Sequence, residues 1–384
     1  MYCKTEEEMK MKREMRRVEK GFCFILIVCL LAAVMTGCGA HEVVYPDDVK
    51  TRIIRDDAGR EVEVPEHITK IAPSGNVAQM ILLTIAPEMM VGLSQTPSVN
   101  QRDFFPQEMW TLPTFGAVYG QKSNLNMEAL LKAAPEVIID LGDRKDSIEA
   151  DMNYVQNQTG IATVFIEADI FHLEKAYRML GFLLGKEERG NELAEYVAGA
   201  VEMCATNSVL IPEEDRLSVM YGTGSTGLAC NAKGSTQAYV IDLVGADNAV
   251  VIPEDELSNK GGGNTISMEQ LYLFDPDVIL LQDGGPYENL SDYPEWNHLS
   301  AVQNGRYYEI PMQPYCWMSN PPSVNQVLGL YWLGNLLYPD LYDYDMAEKT
   351  KEFCRLFWNT ELSDEKTAEL LANSSNKERG AIDE

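Results

Sequence analysis

Hydrophobic positions along the chain fall into three regimes. Phe22 to Val34 is an unbroken apolar run, too short to cross a bilayer, which takes about 20 apolar residues. Farther on, Arg52-Ile53-Ile54-Arg55, a turn at Asp56-Asp57-Ala58-Gly59, and Glu61-Val62-Glu63-Val64-Pro65 predict a β-hairpin by alternation around a glycine-containing turn. Short β-rich pieces then recur between helical stretches, at Ile71–Ala72, Met90–Leu93, Val137–Asp140 and Thr163–Ile166. That is the α/β rhythm of a sheet covered by helices.

The periodicity turns helical over Phe171–Leu184 and again from Glu187 to about Val209. In the second stretch Leu193, Tyr196, Val197, Ala200, Val201 and Cys204 share helical spacing over more than about five turns. A helix this long between two α/β halves reads as a rigid strut. Strands resume at Leu217–Tyr221, Val278–Leu281 and Arg306–Ile310, and the polar sequence after Ala372 reads as a frayed tail.

One segment occurs twice. Met127-Glu128-Ala129-Leu130-Leu131-Lys132-Ala133-Ala134-Pro135-Glu136-Val137-Ile138-Ile139 matches, without a gap, Met268-Glu269-Gln270-Leu271-Tyr272-Leu273-Phe274-Asp275-Pro276-Asp277-Val278-Ile279-Leu280, at an offset of 141 residues. Solenoid repeats run about 20 to 50 residues, so the longer period means two similar domains facing each other across a cleft. In each copy a short helix ends before proline, which cannot continue it, and an apolar strand follows. The expected fold class is α/β, with two α/β lobes joined by a single long helix. Its segments are a signal (residues 1–37), a tether (38–50), an N-terminal lobe (51–186), the linker helix (187–210), a C-terminal lobe (211–372) and a disordered tail (373–384).

Charge and chemistry change this picture in three places. The apolar run is preceded by Arg13, Arg16, Arg17 and Lys20 and ends in Val34-Met35-Thr36-Gly37-Cys38. It resembles a bacterial lipoprotein signal with cleavage before Cys38 and lipid on its thiol. The acidic stretch before Met11 is long for a signal, which leaves Met11 and Met15 as alternative starts. Of 31 basic and 59 acidic residues, residues 1–37 hold seven and five, so the mature formal charge is near −30. Such a surface repels phosphate backbones and argues against nucleic acid as a partner. Cys204, Cys230, Cys316 and Cys354 lack metal-ligand spacing, and pairing among them is left open. His67, His172 and His298 are scattered and read as surface residues, so no bare metal is caged.

Asp56-Asp57-Ala58-Gly59-Arg60-Glu61-Val62-Glu63-Val64-Pro65, both copies of the repeat, Gly181-Phe182-Leu183-Leu184-Gly185-Lys186-Glu187 and Ala301-Val302-Gln303-Asn304-Gly305-Arg306-Tyr307-Tyr308-Glu309-Ile310-Pro311 stand in this order. Over residues 51–358 the chain resembles the substrate-binding lipoproteins of ABC importers for iron complexes and vitamin B12. The resemblance implies an extracytoplasmic protein, lipid-anchored at the cell surface or in the periplasm. It also implies modest hinge closure and delivery to a permease and its ATPase. At the matching positions Glu128 and Glu269 would dock that permease, one carboxylate per lobe, although each could instead complement its helix dipole.

Ligands of open α/β sheets bind beyond the carboxyl ends of the strands. That selects Ser74, Asn76, Tyr119 and Arg144 in the first lobe, and Tyr221, Asn231, Gly262, Asn264 and Trp317 in the second. The tyrosines and Trp317 would stack on a planar ligand, Arg144 would meet a carboxylate or oxyanion, and the Gly261–Gly263 run would let amides converge. The segment Pro314–Asn325 looks like a subgroup linked to iron, with molybdate- and tungstate-handling relatives. The implied ligand is an iron chelate, siderophore or haem, with a molybdate or tungstate oxyanion and cobalamin as alternatives. No cofactor is expected. The chain shows no G-x-S-x-G elbow, no metal-ligand pair and no G-x-G-x-x-G after a strand, and the Gly222–Gly227 stretch lacks the lysine of a phosphate loop. An enzyme or a purely structural surface protein is therefore the weaker reading.

Overall fold

The computed structural model describes residues 45–375 except 47, 120–123, 259–261 and 320, together with Val43. The expected signal and Cys38 lie outside the described residues. The chain opens with the hairpin β1 (Thr51–Arg55) and β2 (Glu61–Pro65), antiparallel with Arg55 opposite Glu61. Its turn is a buried ion pair. Asp56 accepts from the Arg60 backbone N–H (2.9 Å) and from its guanidinium (2.6 and 3.0 Å), and Asp56 also accepts from the Phe165 amide. The hairpin is thereby fastened to a strand edge of the first lobe.

In that lobe β3 (Ile71–Pro73), β4 (Val137–Gly142) and β5 (Ala162–Glu167) form a parallel sheet in the order β3-β4-β5. Its helices are α1 (Asn76–Ile85), α2 (Met127–Ala133), α3 (Ile148–Thr159) and α4 (Leu173–Leu184). The sheet is buried on both faces, which is why β4 and β5 read as largely apolar runs rather than alternating ones. Met90–Leu93 forms no strand of its own. Met90 bridges Ile71 and Leu93 bridges Thr114, so the segment passes from one neighbour to another.

The strut α5 (Glu187–Ser208) is 22 residues and about 33 Å long. Beyond it the second lobe is built on β6 (Ser218–Thr223), β7 (Ala229–Cys230), β8 (Asp247–Asn248), β9 (Asn264–Thr265), β10 (Val278–Leu281) and β11 (Tyr307–Glu309). The order is β11-β10-β6-β7-β9, with β8 paired to the start of β6. The helices here are α6 (Tyr239–Leu243), α7 (Met268–Phe274), α8 (Ser300–Gln303), α9 (Asn325–Leu337), α10 (Met346–Trp358) and α11 (Asp364–Leu371).

The repeat is as regular in structure as in sequence. Asn126 caps α2 by accepting from the Ala129 amide, and Ser267 caps α7 by accepting from the Gln270 amide. Each helix closes on a left-handed residue, Ala134 (φ 50°) and Asp275 (φ 34°), just before the proline. The next carboxylate in each copy holds the start of a neighbouring strand. Glu136 accepts from the Thr69 and Lys70 amides, and Asp277 from the Ser218 amide and hydroxyl.

The lobes also meet away from α5. Helix α10 lies against the first lobe, with Trp358 edge-on to Phe105 (5.3 Å) and Phe357 against Tyr177. Arg189 of α5 donates to the Thr84 and Leu356 carbonyls, gathering the ends of α1 and α10. At the C-terminus, residues 373–375 are not the frayed start of a tail. The Asn373 carbonyl accepts from the Glu309 amide and the Ser374 carbonyl from the Trp332 indole, so pairing with β11 and α9 fixes them.

Candidate functional site

Two adjoining cavities lie between the lobes and share Asn76. The first, about 330 Å³, has an amide wall. Gln79, 3% exposed on α1, is its keystone. Its Oε1 accepts from the Ser94 amide (2.7 Å), the Ser94 hydroxyl (2.9 Å) and the Gln95 amide (3.0 Å), while its Nε2 donates to the Gln95 carbonyl. Asn76 in turn donates to Gln95 Oε1 (2.7 Å) and accepts from the Ser94 hydroxyl. This wall is therefore set before any ligand arrives. The facing wall comes from the second lobe: Asp283 after β10 and the loop Met312–Cys316 after β11. Gln101 bridges the two sides by donating to the Pro314 carbonyl (2.8 Å).

The second cavity, about 350 Å³, lies at the carboxyl ends of β3 and β4, with Gln237 and Pro322 of the other lobe closing it. At its floor Asp140 accepts from the Ser74 hydroxyl and from the Tyr119 hydroxyl (2.7 Å). Burial raises the Asp140 pKa and outweighs both hydrogen bonds and the nearby Lys145, which lower it. Burial, then the Asp140 charge, pushes the Tyr119 hydroxyl well above its ordinary range. Asp143 is raised too, by burial first and then by Asp169.

Of the residues expected at the ligand, Ser74, Asn76 and Tyr119 are on these walls. Arg144 is not; it is exposed, and its neighbour Lys145 lines the second cavity instead. All five expected residues of the second lobe need correcting. Tyr221 is fully buried, because β6 is covered on both faces, and its hydroxyl bonds Ser319 (2.9 Å). Asn231 is fully buried beside the same strand. Trp317 is 1% exposed, donates to the Gln313 carbonyl and packs edge-on to Trp332 at 6.4 Å, so its ring belongs to the core. Gly262 and Asn264 are on neither wall. Asn264 accepts from the Ser258 amide and donates to the Glu256 carbonyl, pinning its own loop.

Sequence reasoning missed Gln79, Asp140, Gln101 and Gln313. The one available signal was polarity out of place: Gln79 interrupts the apolar α1 and Asp140 the apolar β4. It also scattered what the fold gathers, for Glu167, Asp169 and His172 come together, with His172 Nδ1 2.8 Å from Asp169. Glu128 and Glu269 are exposed in the first turns of α2 and α7. Capping interactions with its own backbone amide and Ser267 lower the Glu269 pKa. Cys204, Cys230, Cys316 and Cys354 are free and buried, and burial raises the thiols of Cys204, Cys230 and Cys354 to about 12.

Two α/β lobes about one long helix, with a polar cleft at the strand ends, define a solute-binding protein. The model of the periplasmic binding protein family matches residues 75–314, and the chain belongs to that family. It is 20% identical over 357 residues to the molybdate-binding protein MolA of Haemophilus influenzae, covering 88% of this chain and 96% of that protein. It is 21% identical over 310 residues to the Fe(3+)-citrate-binding protein YfmC of Bacillus subtilis, covering 77% and 91%. Among solved structures, an ABC transporter solute binding protein from Sulfurospirillum deleyianum superposes with TM-score 0.75 at 28% identity, over 84% of this chain and 99% of that one. The chain is thus an extracytoplasmic solute-binding protein of an ABC importer and not an enzyme. No helix among the described residues is long and apolar enough to cross a membrane.

Proposed function

We propose that the protein is anchored through lipid on Cys38, captures a ferric chelate of the siderophore or haem class between its lobes, and presents it to the permease through Glu128 and Glu269. The amide wall carries the ligand reading. Among the described residues, neutral groups of Asn76, Gln79, Gln95, Gln101 and Gln313 line the first cavity, and no lysine or arginine does. A free oxyanion buried there would lack a countercharge, which is costly in a partly desolvated site. A chelate has already neutralised its metal and presents oxygens that amide N–H groups can bind. Each cavity also exceeds what a tetrahedral oxyanion fills and is within the range of about 300 to 1,000 Å³ typical of small-molecule sites.

The molybdate-binding relative, aligned over 88% of this chain, makes an oxyanion the second reading. A thermal-shift screen of the full chain in detergent separates them, because a ligand of the native state raises its melting temperature. Ferric siderophores or haem should shift it. A shift with molybdate or tungstate alone would replace the chelate by an oxyanion, and one with cobalamin alone by a corrinoid.

A further inference from the structure

Carboxylates outnumber cations on the described walls of both cavities. In the second cavity Asp140 and Asp143 face the space, and Lys145 is the one described cation on its wall. The Lys145 ammonium lies 5.8 Å from the centre of the Tyr119 ring. Asp143 has no ion pair within contact distance among the described residues; the charges of Asp169 and Glu167 act against its ionisation and that of Lys145 in its favour. In the first cavity Asp283 is the one charged wall residue. There the side-chain Oε1 of Gln313 is buried without a hydrogen-bond donor, although Gln313 lines the space. A buried acceptor left without a donor is unfavourable, so a ligand that supplies one is favoured over a ligand that does not.

We propose that the solute is a ferric chelate bearing a protonated amine, which seats against Asp143 while another N–H or O–H of the ligand satisfies Gln313. This rests on the chelate reading above and narrows it. Carboxylate-rich complexes and free oxyanions would bring negative charge to walls that already carry it. A cationic edge gains Coulomb attraction in a partly desolvated cavity, where screening by water is weaker.

Ferrioxamine B tests this directly, since its ferric trihydroxamate core carries one free ammonium that N-acetylation removes. Titrations of the full chain should show ferrioxamine B binding about tenfold or more tightly than the acetylated complex. Asp143→Asn should bring the two affinities within about twofold of each other by weakening ferrioxamine B alone. Equal binding of the two complexes to the parent overturns the charge assignment and leaves the chelate reading standing. Binding of molybdate with neither ferrioxamine overturns both. Tighter binding of ferric citrate than of ferrioxamine B, or no binding of either ferrioxamine, overturns the cationic ligand.

Discussion

Asp140 shows how one residue can belong to the sheet and to the cleft at once. Its backbone lies in β4 opposite Phe165 of β5, while its carboxylate, 4% exposed, anchors Ser74 and Tyr119. Burial makes the folded protein hold this proton more tightly than the unfolded chain, whose carboxyl titrates near 3.8. An acid with a raised folded-state pKa binds more protons in the folded state, so its effect on stability is least unfavourable below 3.8 and worsens as pH rises through the folded value. Urea midpoints from about pH 3 to 8 should therefore fall more steeply with pH for the parent than for Asp140→Asn. Parallel profiles would mean that Asp140 is not held protonated above its ordinary range. That Ser74, Asn76 and Tyr119 would stand on the cavity walls was legible in sequence because the carboxyl ends of strands open onto the cleft. Asp140 was hidden by its apolar neighbours. Tyr221 and Trp317 misled because an aromatic near a strand end does not reveal on which side of the backbone its ring packs.

At the scale of elements, α4 and α5 pack backbone to backbone where they cross. A Cβ on Gly190 would stand 2.6 Å from the Tyr177 carbonyl oxygen and 2.9 Å from Gly181 Cα, whereas one on Gly199 would meet nothing within 4 Å. The same substitution on the same helix should thus have opposite signs. Gly190→Ala should cost about 1–3 kcal/mol by overpacking. Gly199→Ala, on an exposed turn, should add about 0.5–1 kcal/mol through helix propensity. Urea unfolding of the two variants reads this, and stabilisation by both would mean that the helices are not in contact at Gly190. The hairpin and the strut could be read from sequence because each has an unbroken period of its own. The two-residue strands β7, β8 and β9 could not, since pairing over two residues leaves no period. Nor could the seat of α10 on the first lobe, which depends on contacts such as Phe105 with Trp358 across more than half the chain.

For the whole molecule, the repeat is the feature through which the proposed docking would tie recognition of a solute to recognition of a partner. Its two short helices carry Glu128 and Glu269 at equivalent exposed positions, beside Leu131 at 50% and Leu273 at 84% exposure. Neither glutamate is on the wall of either cavity, so the proposed docking can be tested apart from ligand binding. Two charged contacts on different lobes fix the orientation of a partner as one cannot, and a partner reading both helices would sense the spacing of the lobes. Replacing both by arginine should abolish uptake of the ferric complex by cells while leaving its affinity for the purified protein unchanged. Each single reversal should leave partial uptake. Because arginine opposes the dipole at a helix N-terminus, each change should also lower stability. Thermal melts of the variants must therefore show a folded protein at the assay temperature before uptake is read. Loss of affinity in the double variant would place the glutamates in ligand binding, and undiminished uptake would move the docking surface elsewhere.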